Sequence, residues 1–213
     1  MDKIKAFQSL ADLFSKHNFS LYLVGGTVRD YLLNKELNDM DVVTEATPSE
    51  LKPFLIGDYT FEKYGSVKVN VLGVKFDITT LRKEEGYSDS RHPNKVIFTK
   101  SLEEDVRRRD ITINALYMDK DLNVIDLVDG QKDLSNHLIR MIGDSLTRIN
   151  EDPLRIVRIY RFKLETGFDI EENLEKVLKE NIHLLSKINT NKIVQEINKS
   201  NHRSELLDLL KEN

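Results

Sequence analysis

Residues 66–80 hold the pattern that most narrows the fold. Val67, Val69 and Val71 alternate with polar residues, Val74, Phe76 and Ile78 alternate with Lys75, Asp77 and Thr79, and Gly73 separates the two runs. A period of two puts each apolar set on one face of a strand. The runs therefore predict a hairpin whose apolar face must be covered by a second layer. Upstream, Ile4, Phe7, Leu10, Ala11 and Phe14 recur at helical spacing to about His17, and Leu21 to Val24 reads as a short buried strand. Gly25-Gly26 then turns the chain into a helix capped by Thr27 and stopped at Asn34. Met40 to Thr44 predicts a second strand, and Thr47-Pro48-Ser49 opens another helix with Pro48 in its first turn.

Beyond the hairpin, Arg82 to Pro93 is polar and charged, which predicts a loop longer than a passive connection needs. Residues 102–109 start a helix, Ile111 to Met118 continue it with apolar residues, and Val124 to Leu127 predicts a last short strand before Asp129-Gly130. From Pro153 the periodicity is helical throughout. Asp152 caps the first helix, Glu171 to Leu185 gives a second, and Thr190 to Lys211 a third. A compositional shift near residues 143–150 divides the chain into an α/β head with a mixed sheet, 1–145, and a small all-helical neck, 146–213.

Composition bounds the chemistry. A net charge of −4 gives no global attraction to nucleic acid, so any RNA contact must come from local clusters such as Arg107, Arg108 and Arg109. The chain has no cysteine, which excludes disulfides, thiolate metal sites and thiol nucleophiles and fits the reducing cytoplasm. No window approaches the roughly 18 apolar residues of a membrane span.

Asp39 and Asp41 lie two apart on the predicted strand, so both carboxylates share one face while Met40 and Val42 point to the core. Asp77, on the polar face of a later strand, can supply a third oxygen donor, and three such donors suit Mg²⁺. Cations held this way can activate a ribose 3′-hydroxyl and stabilise a departing pyrophosphate. Alone, an Asp-x-Asp pair is ordinary surface chemistry, and a Gly-Gly pair is an ordinary turn. Together with Arg29 one turn into the following helix, Gly25-Gly26 suits a bound triphosphate. Asp152, Arg155, Arg158 and Arg161 recur every three residues along a helix flank, the usual spacing of a solvated basic stripe. A carboxylate beside a guanidinium also complements the Watson–Crick edge of either C or A.

The ordered set of motifs resembles class II CCA-adding enzymes and bacterial poly(A) polymerases. The run LYLVGGTVRD from Leu21 to Asp30, followed by Asp39-Met40-Asp41, is similar to their first motif. FDITTLR from Phe76 resembles their third-carboxylate strand, RRDITINA from Arg108 their second motif, and EDPLR from Glu151 their nucleotide-selecting motif. Asp129-Gly130, Asp133-Leu134 and Gly143-Asp144 resemble the intervening hinge. The resemblance implies a polymerase-β-like nucleotidyltransferase head followed by a neck. It implies Asp39 and Asp41 as metal ligands with Asp77 as third acid, and Gly26 and Arg29 at the nucleotide's phosphates. Arg109 would meet the incoming nucleotide, with Asp110 and Asn114 near the ribose, although both also suit a cluster that only fixes the fold. Asp152 and Arg155 would be the template for CTP and ATP, with Arg158 and Arg161 supporting it or touching phosphate.

The segment from Glu84 to Pro93 resembles the loop used in changing from C to A addition, and His92 within it needs no ligand role. Near the C-terminus, Asn191 and Lys192 stand where the family's fifth motif has Glu and Arg. The family's body and tail, which hold tRNA, do not follow Asn213. A fragment, a minimal enzyme, or half of a split enzyme with a partner chain are the three readings. The expected function is CCA addition to the tRNA 3′ end. Poly(A) or A addition, and a nucleotide-binding module that depends on a partner for RNA, are the alternatives.

Overall fold

The computed structural model describes residues 2–87 and 93–212. Its first helix, α1 (Lys3–Lys16), is capped by Asp2, whose carboxylate accepts from the Ile4 and Lys5 amides. Ala6, Phe7, Leu10, Ala11 and Phe14 form its buried stripe. The chain continues through β1 (Tyr22–Val24), α2 (Gly26–Leu32), β2 (Asp41–Thr44), α3 (Pro48–Leu51), β3 (Ser66–Val71) and β4 (Val74–Thr80). Then come β5 (Arg82–Tyr87), β6 (Pro93–Phe98), α4 (Leu102–Val106), β7 (Tyr117–Met118) and β8 (Val124–Ile125).

Six strands form one mixed sheet in the order β3-β4-β2-β1-β7-β8. The predicted hairpin is present: β3 and β4 pair antiparallel from Ser66↔Thr79 to Val71↔Val74. Its two-residue turn has Leu72 and Gly73 both at positive φ, 51° and 79°, which the type I′ turn of a tight hairpin requires. Val67, Val69, Val74, Phe76 and Ile78 are buried on one face, as the alternation demands. The parallel pairing is between β2 and β4, with Asp41 opposite Asp77 and Val42 opposite Ile78. β1 lies antiparallel to both β2 and β7.

Contacts divide the chain into two compact units. The first comprises residues 1–84, 96–109 and 113–130; the second comprises 85–95, 110–112 and 131–213. The second unit contains α5 (Gly130–Ser135) apart from its first residue, β9 (Leu138–Ile139), α6 (Ser145–Glu151), α7 (Leu154–Thr166), β10 (Asp169–Ile170), α8 (Glu172–Asn181), α9 (Thr190–Asn198) and α10 (Arg203–Glu212). α7 is its centre, packing against α6, α9 and α10 and burying Leu154, Ile156, Val157, Ile159 and Tyr160. β9 and β10 pair in parallel over two residues each.

Several predicted elements change. The segment from Arg82 begins as a strand, β5, which forms a two-stranded sheet with β6. The rest of the predicted loop, His92 included, lies outside the described residues at 88–92. The helix begun at Leu102 ends at Val106, and Tyr117-Met118 is extended against β1 instead. Thr190 to Lys211 is two helices, interrupted around Ser200, whose backbone amide closes the end of α9 on Ile197 O. Thr27 does not cap α2; the cap position is Gly25.

Candidate active site

Gly25 stands between β1 and α2 with φ 70° and ψ −136°, a combination that L side chains avoid. That turn lets α2 fold back so that Thr27 meets the Asp39–Asp41 segment. Thr27 Oγ1 donates to Asp39 O and accepts from the Asp41 amide, both at 3.0 Å. The hydroxyl thus clamps the backbone on both sides of buried Met40. This residue was not among the sequence candidates, because a Thr after Gly-Gly reads as a helix cap.

Asp39 is not within the strand; β2 begins at Asp41. The expected alternation persists, with Asp39 exposed, Met40 buried and Asp41 half-buried. The Asp77 amide donates to Met40 O at 3.0 Å and sets the register in which Asp41 and Asp77 are neighbours. Burial, then the charges of Asp77 and Asp39, push the Asp41 carboxyl up from 3.8 to about 6, against the weaker opposing pull of Arg109 and Lys68. Asp77 Oδ1 is shut off from solvent and accepts no hydrogen bond, with Lys68 Nζ 3.6 Å away. A cavity of about 540 Å³ opens beside Asp39 and Asp77, lined also by Asn38, Lys68, Asn70 and Lys75 among others.

The three carboxylates offer the hard oxygen donors that a divalent cation takes, and one of those oxygens, Asp77 Oδ1, accepts no hydrogen bond. Among the described residues no three acids or histidines already form a closed metal cluster. The acids therefore offer a partial coordination shell, which suits ions whose remaining ligands come from substrate phosphates and water.

Arg29 is 9% exposed, and its guanidinium is held from two sides. Asp30 Oδ1 accepts from Nε at 2.9 Å, and Asn114 Oδ1 accepts from Nη1 at 2.7 Å. The Arg29 head in turn lies over Gly26, where an added Cβ would sit 3.5 Å from Nη2. Gly26, Arg29 and Asn114 are therefore brought together, and the Asn114 side-chain carbonyl is committed to Arg29. In the same unit, Arg109 donates through Nε and Nη2 to Asp105 Oδ2, at 3.1 and 2.8 Å.

In the second unit the predicted basic stripe is not a solvated one. Arg155 is 3% exposed and donates to Asp110 Oδ1 at 2.7 Å and to Arg148 O at 2.6 Å. Arg158 bridges Asp110 Oδ2 at 2.9 Å and Asp152 Oδ2 at 2.6 Å. Asp152 also accepts from the Leu154 amide at 3.1 Å, so it supports the first turn of α7 from just outside the cap position, Pro153. Burial alone would push Asp110 up, but the Arg158 and Arg155 charges outweigh it and hold Asp110 below the usual carboxylate range. Arg161 pairs instead with Glu165 and with buried Glu196. Glu196 was not singled out in the sequence; its only signal is its place, four residues after Lys192, at the end of the fifth-motif segment.

Residues 21–140 match the family described as the poly(A) polymerase head domain. A CCA-adding enzyme of Lactobacillus helveticus is 43% identical over 194 residues, covering 91% of this chain and 48% of that protein. The crystal structure of the Bacillus stearothermophilus CCA-adding enzyme in complex with CTP superposes with a TM-score of 0.88 at 31% identity, covering all of this chain and 53% of its own. The Thermotoga maritima CCA-adding enzyme complexed with tRNA gives a TM-score of 0.77 at 27% identity, again covering all of this chain and 51% of its own. The chain spans about half the length of the curated relatives it matches. With its mixed sheet, its motifs in order and this match across more than half its length, the chain belongs to the poly(A) polymerase head-domain family of nucleotidyltransferases.

Proposed function

We propose that this protein is a CCA-adding tRNA nucleotidyltransferase that transfers CMP and AMP from CTP and ATP to the tRNA 3′ end with Mg²⁺. The observation that carries the reading is the pairing of Asp41 with Asp77 in register, with Asp39 close enough for its charge to act on Asp41. The similarity to CCA-adding enzymes, one bound to CTP and one to tRNA, supports the choice of substrates. Bound Mg²⁺ supplies charge neutralisation for the 3′-oxygen and for the pyrophosphate that leaves.

The chain's own residues do the rest. Asp39 and Asp41 hold the metal ions, and Asp77 helps to fix them beside the nucleophile. Gly26 exposes backbone next to Arg29, so the Arg29 head and the adjacent main chain meet the triphosphate. Arg109 adds a second fixed positive charge for the incoming nucleotide, with Asn114 orienting Arg29 and Asp110 orienting Arg155. Asp152 and Arg155 read the base through the donor and acceptor pattern that C and A share. Arg158 holds that pair in place through Asp152 and Asp110, while Arg161 ties the same helix to Glu196. In this reading, residues 1–145 are the nucleotidyltransferase head and 146–213 the neck. This reading places the protein in the cytoplasm, which the cysteine-free composition suits; among the described residues no helix is long and apolar enough to cross a membrane.

Incubation with tRNA ending at the discriminator base, CTP, ATP and Mg²⁺ is expected to extend the tRNA by C, C and A. No extension with any divalent metal would overturn the assignment. Extension with ATP alone, or long A tails, would instead identify an A-adding enzyme or a poly(A) polymerase. The alternative reading is a nucleotide-binding module that requires a partner chain to grip RNA. It is distinguished by nucleotide binding in calorimetry without turnover on any RNA end.

A further inference from the structure

Asp105 is a fully buried carboxylate that none of the site motifs includes. Burying an ionised carboxylate is costly unless its oxygens are satisfied. Here they are: Oδ1 accepts from Arg108 Nε at 2.8 Å and from the Arg82 amide at 3.2 Å. Oδ2 accepts from Arg109 Nε and Nη2 and from the Tyr117 hydroxyl at 2.9 Å. Burial would push the carboxyl up, but Arg109 and Arg108 overcome it and hold Asp105 down at about 2.

The Tyr117 side is the informative one. Its hydroxyl donates to Asp105 and accepts from Arg109 Nε at 3.1 Å, while its ring lies 5.2 Å from the Arg109 guanidinium carbon. The Arg109 head is thus held along one edge by a carboxylate and a phenol, with its guanidinium carbon over the ring of the same phenol. Tyr117 sits in β7, which pairs with β8 on one side and β1 on the other, and β1 in turn pairs with the strand that starts at Asp41. Through Asp105 and Tyr117, the position of the Arg109 charge is tied to the sheet that carries the acids. A single arginine would suffice to neutralise Asp105, and Arg108 already does so. The second arginine and the phenol add orientation.

We propose that Asp105 and Tyr117 are positioning residues that fix the Arg109 guanidinium for the triphosphate of the incoming nucleotide. This rests on the reading of Arg109 as a nucleotide contact. Neither residue touches substrate in this scheme; both act through Arg109.

The test is a thermodynamic cycle in nucleotide binding, which does not depend on turnover. Affinity for ATP with Mg²⁺ is measured by calorimetry for the wild-type chain, Asp105→Asn, Tyr117→Phe, Arg109→Ala and the doubles that combine each of the first two with Arg109→Ala, with a melting curve for each. Arg109→Ala is expected to weaken ATP binding about tenfold, Asp105→Asn by about as much and Tyr117→Phe about threefold. Each double should bind no more weakly than Arg109→Ala alone. Doubles that lose the full product of the single effects, or singles that bind like the wild type, overturn the proposal. If Asp105→Asn does not fold, the Tyr117→Phe cycle decides, because it removes one oxygen and keeps the ring. An Arg109→Ala chain with wild-type affinity would overturn the role of Arg109 itself and this inference with it. Should no variant affect Arg109-dependent binding while Arg109→Ala does, only the inference fails.

Discussion

Asp41 and Asp77 stand side by side as register partners on parallel strands, and Asp41 is the acid pushed up to about 6. Burial is the larger cause and the neighbouring carboxylates the next. The folded value lies above the ordinary 3.8, so the native state holds this proton more tightly than the unfolded chain. The contribution of Asp41 is therefore most favourable below about pH 4 and is lost as the pH rises toward 6. Asp41→Asn should raise the melting temperature by about 2–4 °C at pH 7.5 in the presence of a chelator and change it little at pH 4. A variant that melts no higher than wild type at pH 7.5 contradicts the repulsion.

For function the expectation is the opposite. Asp39→Ala and Asp41→Ala should each abolish nucleotide transfer while leaving a folded head, since Asp39 is exposed and Asp41 only half-buried. Circular dichroism and a tRNA extension assay on the same preparations check both halves. Near-normal transfer by either variant would refute the metal assignment.

Asp110 is the shared acceptor for Arg155 and Arg158. Removing it by Asp110→Ala leaves two guanidinium groups in a largely enclosed setting and should cost about 3 kcal/mol, read from urea denaturation. A loss below about 1 kcal/mol would mean that the arginines find other partners without strain.

Asp152→Ala should relax the choice of base more than it harms the fold, although a missing support for the first turn of α7 costs about 1 kcal/mol. The measurement is incorporation of UTP and GTP against CTP and ATP. Retained discrimination would place the template elsewhere.

Gly25→Ala tests backbone strain without a steric clash, because the nearest neighbour of the added Cβ is Asn114 O at 3.8 Å. With φ at 70° and ψ at −136°, the variant should lose about 1–3 kcal/mol in equilibrium unfolding. An unchanged stability would show that the turn before α2 relaxes freely.

The hairpin and the carboxylate on it, Asp77, were legible because strand alternation is a local code: Val67, Val69, Phe76 and Ile78 could be assigned to one face without knowing what covered them. β5 carried no such code. Its first residues, Arg82, Lys83 and Glu84, are polar on both faces, and its backbone pairing with β6 leaves no apolar trace in sequence. The break between α9 and α10 was hidden because Ile197 and Leu206 keep helical character on either side, although Asn198 to Asn201 is a polar run. Asp105 was missed for a different reason. Among Glu103, Glu104 and Asp105 it reads as one more acid in a helix's first turn, and only its spacing of three and four residues from Arg108 and Arg109 marks it. The clamp made by Thr27 could not be read at all, since it depends on α2 folding back on a loop twelve residues later.

The parallel alignment of β2 with β4 has a consequence for the order in which this molecule assembles. The β3–β4 hairpin needs only a two-residue turn and can close early, whereas β2 must reach β4 across the whole intervening segment. Asp77 is thus seated in a formed strand before Asp41 arrives beside it. The mutual repulsion of the two acids is met only in that late, long-range step, so a divalent cation present during refolding should quicken the completion of the sheet rather than its initiation.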